Sequence, residues 1–192
     1  EPIGVPTISL AARLLRDKGI NEFVAAAKII KERGIQSRFL LAGDLDIGNP
    51  TSLELEDLNK IKKNEHVEIL GYHNDISKLY NQSHIICLPS YREGFPKALM
   101  EAAAAGRAVV TTDVPGCRDA VIPNETGLIV PAKDSKKLAN AIQWLIENPK
   151  ERLNMGKAGR KFAEKNFSIE NIVNHHIDIY FELINNKLNL SK

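Results

Sequence analysis

The chain has 192 residues, one domain's worth of protein, and opens Glu1-Pro2 rather than with Met, which reads as a piece of a longer protein. Its composition, 43% hydrophobic and 26% charged, supplies a sizeable core and excludes a disordered chain. A net charge of +2 and 6% aromatic residues exclude the field and stacking surface of a nucleic-acid binder.

In chain order, short apolar runs alternate with segments of helical period. Ile8–Ala12, Arg38–Ala42, His84–Leu88, Ala108–Thr111 and Leu128–Val130 read as buried strands, with Val67–Leu70 a weaker sixth. Between them, Asn21–Glu32, Leu53–Lys62, Ile76–Gln82 and Pro96–Ala105 carry apolar residues three or four apart. Strand then helix, repeated, predicts right-handed crossovers and an α/β, doubly wound, mostly parallel sheet. From Asp134 onward the pattern is purely helical. Leu138, Ile142 and Leu145 line one face until Pro149 stops that helix, and Ile172, Val173, His176, Ile177, Tyr180 and Ile184 form another stripe. On that stripe His176 is expected to pack rather than to ligate. Residues 132–192 hold eleven Lys/Arg against seven Asp/Glu, which solvated helix faces explain better than an anionic membrane contact.

Cys87 and Cys117 fit neither a disulfide framework nor a zinc site, and Cys87, following two isoleucines, reads as an inert core thiol. No apolar run reaches the ~20 residues that span a bilayer.

Ligands of such a sheet bind at the carboxyl ends of its strands. Three loops there stand out. Arg13-Leu14-Leu15-Arg16-Asp17-Lys18-Gly19 puts three cations before a helix-opening glycine, the chemistry of a phosphate site, although taken alone solvated loop charges account for it better. Ser90-Tyr91-Arg92-Glu93-Gly94-Phe95-Pro96 precedes the helix KALMEAAAAG. Pro96 suits the first helical position, Gly94 a tight turn, and the amides of Gly94 to Ala98 would face the cleft. Glu101, inside that helix, could accept from two vicinal hydroxyls such as a ribose presents. Glu93 is also explained as an acid favouring the helix dipole. In the third loop, Thr112–Asp119, Gly116 could present amides, but turn chemistry alone accounts for Pro-Gly.

Together the string SYREGFPKALMEAAAAG, with Glu93 and Glu101 eight positions apart, resembles the signature of glycosyltransferase family 4. Arg13 and Lys18 before Gly19 match that family's phosphate-binding pair. LLAGD at Leu40–Asp44, Gly71-Tyr72 and GLIVP at Gly127–Pro131 match its other landmarks, so the likeness covers about residues 7 to 167. SYREGFP followed by TTDVPGCRD is most similar to bacterial enzymes of polyprenyl-diphosphate-linked glycan assembly, N-acetylgalactosaminyltransferases among them.

The resemblance implies one half of a GT-B enzyme. Residues 1–192 would be its C-terminal, sugar-nucleotide-binding domain, with a terminal helix over 168–192 and the acceptor-side N-terminal domain absent from the chain. It implies a retaining hexosyltransferase using a nucleoside-diphosphate sugar, UDP-linked, and a saccharide or polyprenyl-diphosphate acceptor in surface glycan assembly. Such an enzyme would be cytoplasmic, at the inner face of the plasma membrane, in peripheral contact with it. By the same likeness Arg13 and Lys18 hold the donor diphosphate and Glu101 the ribose, while Glu93 faces the sugar. Backbone around Phe95, Pro96, Lys97 and Ala98 binds sugar hydroxyls or phosphate, and Tyr72 and His73 border the base. Catalysis would rest on Glu93, Lys18 and Arg13. Asp44-Leu45-Asp46 has the spacing with which another glycosyltransferase fold holds a metal, but it follows a strand of a different architecture, so neither metal nor cofactor is expected. No Gly-x-Gly-x-x-Gly occurs, which disfavours NAD. A nucleotide-sugar 2-epimerase or a non-catalytic sugar-nucleotide-binding module would share the architecture.

Overall fold

The computed structural model describes residues 1–189. Six parallel strands, β1 (Thr7–Ala11), β2 (Arg38–Ala42), β3 (Glu68–Gly71), β4 (Ile85–Leu88), β5 (Ala108–Thr112) and β6 (Gly127–Val130), form one sheet in the order β3-β2-β1-β4-β5-β6. The chain winds outward from β1 in one direction and from β4 in the other. The crevice between the carboxyl ends of these two strands is therefore the topological switch point.

Alternating side chains feed both faces of the sheet, as strand geometry requires. Ile8, Leu10, Phe39, Leu41, Ile85, Cys87 and Val110 join one core with α1 (Ile20–Glu32) and α5 (Ser135–Glu147). Leu40, Ala42, Ile86, Leu88 and Val109 join the other with α3 (Ile76–Asn81) and α4 (Lys97–Ala104). Cys87 is wholly buried, and burial pushes its thiol pKa up, in keeping with a core thiol. The helix α2 (Leu55–Lys63) starts two residues later than its apolar period predicts. Leu53 is instead drawn into the core, its amide donating to the Leu14 carbonyl at 2.8 Å.

Pro149 both follows α5 and opens α6 (Pro149–Asn166), where its missing N–H costs nothing. The last described helix is α7 (Ile169–Asn189); residues 190–192 of the expected terminal helix lie outside the described residues. Its apolar stripe does not pack as expected: Ile172, Val173, Ile177, Tyr180 and Ile184 are exposed. His176 is exposed too, its Nδ1 lying 2.7 Å from the Ile172 carbonyl. Amphipathic period specifies a face to be covered, but not that the covering surface belongs to the same chain. Among the described residues no helix is long and apolar enough to cross a membrane.

Candidate functional site at the sheet's switch point

The loops after β1 and β4 meet over the crevice. A single 3-10 turn, Arg16–Lys18, ends in Gly19, which caps α1. The Tyr91 amide donates to the Asp17 carbonyl at 2.8 Å, and the Tyr91 hydroxyl to Glu22 Oε2 at 2.6 Å. Burial, then the Glu22 carboxylate, pushes the Tyr91 phenol pKa up, so it stays a neutral donor that ties the loops together. From behind, Thr112 Oγ1 donates to the Ser90 carbonyl.

Two features of the second loop differ from expectation. Pro96 is the N-cap, with extended backbone, and the helix opens at Lys97, because ψ of 117° at Pro96 is not helical. Gly94 is not in the left-handed region and a Cβ there would meet open space. The tight contact falls on Gly116 instead: at φ +80° its Cβ would sit 2.1 Å from the Gly94 carbonyl oxygen. The Gly116 amide, a possible ligand donor, is already taken by Asp119 Oδ2 at 3.1 Å. The amides of Lys97 and Ala98, by contrast, begin α4 and find no acceptor among the described residues.

Two cavities adjoin here. The first, about 370 Å³, has a floor of small residues, Ala11, Ala12, Ala42 and Gly43. Its walls bring together Arg13, Tyr72, His73, Ala98 and Glu101 with Asp44, Asp46 and Tyr80. Gly43 makes that floor possible, since a Cβ there would lie 1.8 Å from the Ala12 carbonyl oxygen. Tyr80 is buried beneath Glu101, its hydroxyl donating to the Ala98 carbonyl at 3.4 Å. Burial first, and the Glu101 carboxylate second, push its phenol pKa up. Glu101 keeps its carboxylate partly open, with Lys97 Nζ 4.0 Å away.

The second cavity, about 400 Å³, is lined by Arg13, Leu15, Asp17, Lys18, Arg92, Glu93 and Gly94. Glu93 Oε1 accepts from both Lys18 Nζ and Ser90 Oγ at 2.7 Å. With side chains 18% and 11% exposed, Lys18 and Glu93 form a mostly desolvated pair. Glu93 is thus held by a partner across the crevice, which a helix-dipole role does not require. Among the described residues Arg13 alone lines both cavities, its Nη1 donating to Asp46 Oδ2 at 2.7 Å. Asp46 also accepts from Asn49 Nδ2 at 3.0 Å, and no cluster of three or more metal-type ligands exists among the described residues.

Phe95 and Pro96 lie outside both linings; the Phe95 ring instead stacks edge-on with Phe167 at 5.5 Å, and Phe167 with Phe162 at 5.1 Å, bracing the loop from α6. Lys97 is mostly exposed, outside both cavities. Tyr80 and the Tyr91–Glu22 latch escaped sequence reasoning, which singled out Asp46 only by its Asp-x-Asp spacing and Ser90 only as a member of the loop after β4.

The fold defines a class: doubly wound α/β domains, whose crevice at the switch point is where such sheets bind ligands. The sequence pattern described as "Glycosyl transferases group 1" matches residues 3–162, and the chain belongs to that family. It is 35% identical to the N,N'-diacetylbacillosaminyl-diphospho-undecaprenol alpha-1,3-N-acetylgalactosaminyltransferase of Campylobacter jejuni, over 94% of this chain and 46% of that protein. A sucrose-phosphate synthase structure from Thermosynechococcus elongatus superposes with a TM-score of 0.83 at 32% identity, over 96% of this chain and 47% of its own. Anabaena HepE in complex with UDP-glucose shares the fold, with a TM-score of 0.83 at 21% identity over 93% of this chain and 49% of its own. The chain spans about half the length of the curated relatives it matches.

Proposed function

We propose that the chain is the donor-binding half of a retaining hexosyltransferase that uses a nucleoside-diphosphate sugar, with UDP as the nucleotide. The observation that carries this reading is the division of the crevice by Arg13. On one side lies a cavity with a floor of small residues and one carboxylate, Glu101, suited to a nucleoside. On the other lies a polar cavity holding Lys18 and Glu93. Glu101 would accept from the ribose hydroxyls, with Tyr72 and His73 beside the base. Arg13, Lys18 and the free amides of Lys97 and Ala98 would take the diphosphate, and Glu93 would face the sugar.

In the reaction, the bond from the anomeric carbon to the diphosphate oxygen breaks, and its electron pair stays on the diphosphate. The acceptor hydroxyl oxygen bonds to that carbon on the same face and gives its proton to the departing diphosphate oxygen. Preorganised donors on the developing charge are worth about 3–4 kcal/mol each in a closed site. Arg13 and Lys18 would supply that stabilisation, with Lys18 exchanging Glu93 for phosphate. The C. jejuni relative, whose name specifies an undecaprenyl-diphosphate-linked acceptor, supports a saccharide or lipid-linked acceptor. Such an acceptor would be presented at the inner face of the plasma membrane.

A second domain would complete the catalytic cleft, so the chain alone should bind UDP and transfer no sugar. Incubation with radiolabelled UDP-sugar and a lipid-linked acceptor tests this. Binding without transfer is the expected result, and measurable glycosyl transfer by the chain alone would overturn the half-enzyme reading.

A further inference from the structure

The Asp-x-Asp at Asp44-Leu45-Asp46 has a use in this fold that is not metal binding. We infer that Asp46 is a positioning residue for Arg13, fixing its guanidinium at the junction of the two cavities before a diphosphate arrives. The inference rests on the donor-site reading above.

Three observations carry it. The loop after β2 is tied down along its length: the Leu14 amide donates to the Asp44 carbonyl at 2.9 Å, Arg16 to Thr51 at 2.7 Å, and the Asp46 amide to Ser52 Oγ at 3.1 Å. Asn49 Nδ2 then donates to the same Asp46 oxygen that Arg13 uses, so the carboxylate is itself held. Finally, Asp46 engages only Nη1 of Arg13, leaving Nε and Nη2 without an acceptor among the described residues. A guanidinium carries its donors in a rigid planar fork, so holding one arm orients the other for a phosphate oxygen.

Stability is a poor explanation for this pair. The Arg13 side chain is 65% exposed, and ion pairs that open to water contribute little to folding. Orientation is a better one. A free arginine would lose its rotamer freedom on binding, and prior confinement removes that loss from the affinity. Arg16 and Asp57 form a pair of the same length, 2.7 Å, outside both cavities, which supplies an internal control.

The test is isothermal titration of the chain with UDP and with uridine, for wild type, R13A, D46N, the R13A/D46N double variant and D57N. Loss of the Asp46 charge should weaken UDP about 5–10-fold and leave uridine unchanged, less than the loss of a whole charge-assisted contact because Arg13 itself remains. In the R13A background D46N should have no further effect, and D57N should leave UDP binding as it was. Equal loss of UDP and uridine in D46N would make Asp46 a mere support of the loop and overturn the inference. So would unchanged or tighter UDP binding in D46N, an independent loss in the double variant, or a loss with D57N as large as that with D46N. If R13A itself leaves UDP affinity intact, the diphosphate reading of the site fails. If R13A weakens UDP while D46N does not, only the positioning role fails.

Discussion

The two cavities flanking Arg13 are built by opposite means. The first is made by what is missing: Ala11, Ala12, Ala42, Ala98 and Gly43 let the strand ends and α4 form walls without filling the space between. The second is made by charge, with Lys18, Arg92, Asp17 and Glu93 around one opening and the Lys18–Glu93 pair across it. A cavity of the first kind should be broken by added atoms and barely altered by lost charge. A cavity of the second kind should behave the other way round.

The largest effect is expected where shape is backbone. Gly43 has φ +145° and no room for a Cβ beside the Ala12 carbonyl, so Gly43→Ala should cost about 3 kcal/mol of stability in urea unfolding. Unchanged stability would mean that the floor of the first cavity yields. Next comes Lys18→Ala, which should weaken UDP by about 1.5–3 kcal/mol, the range for a hydrogen bond to a charged group, and leave uridine nearly unchanged. Equal weakening of both ligands would move Lys18 away from the phosphates. Glu101→Gln should weaken UDP and uridine alike, by about 1 kcal/mol, because both carry the ribose. A loss confined to UDP would remove Glu101 from the first cavity. The smallest change is expected for Glu93→Gln, with opposite sign. Lys18 would no longer have to leave a carboxylate for a phosphate, so UDP should tighten by about 0.5–1 kcal/mol. Weaker UDP binding would show that Glu93 holds Lys18 in place for the diphosphate rather than competing with it.

Much of this contrast was legible in the sequence. Strand–helix alternation located the six strands to within a residue or two, since buried parallel strands read as continuous apolar runs. The loops carrying Arg13, Lys18 and Glu93, and the helix carrying Glu101, followed from their place after the strand ends. Partners across the fold were not legible. Asp46 meets Arg13 from 33 residues away and Glu93 meets Lys18 from 75, and no local pattern encodes either contact. Gly94 and Gly116 show the same limit, because the chain position of a glycine does not say which one carries the close approach. The stripe on α7 failed for a related reason: its period was read correctly, but among the described residues no other part of the chain covers it.

The most direct test of the divided crevice compares uridine with UDP on the unmodified chain by isothermal titration. With a nucleoside cavity on one side of Arg13 and a diphosphate cavity on the other, UDP should bind at least about 100-fold more tightly, since two charge-assisted contacts at the low end of their range sum to about 3 kcal/mol. Affinities within about threefold of each other, a difference well under 1 kcal/mol, would contradict the account.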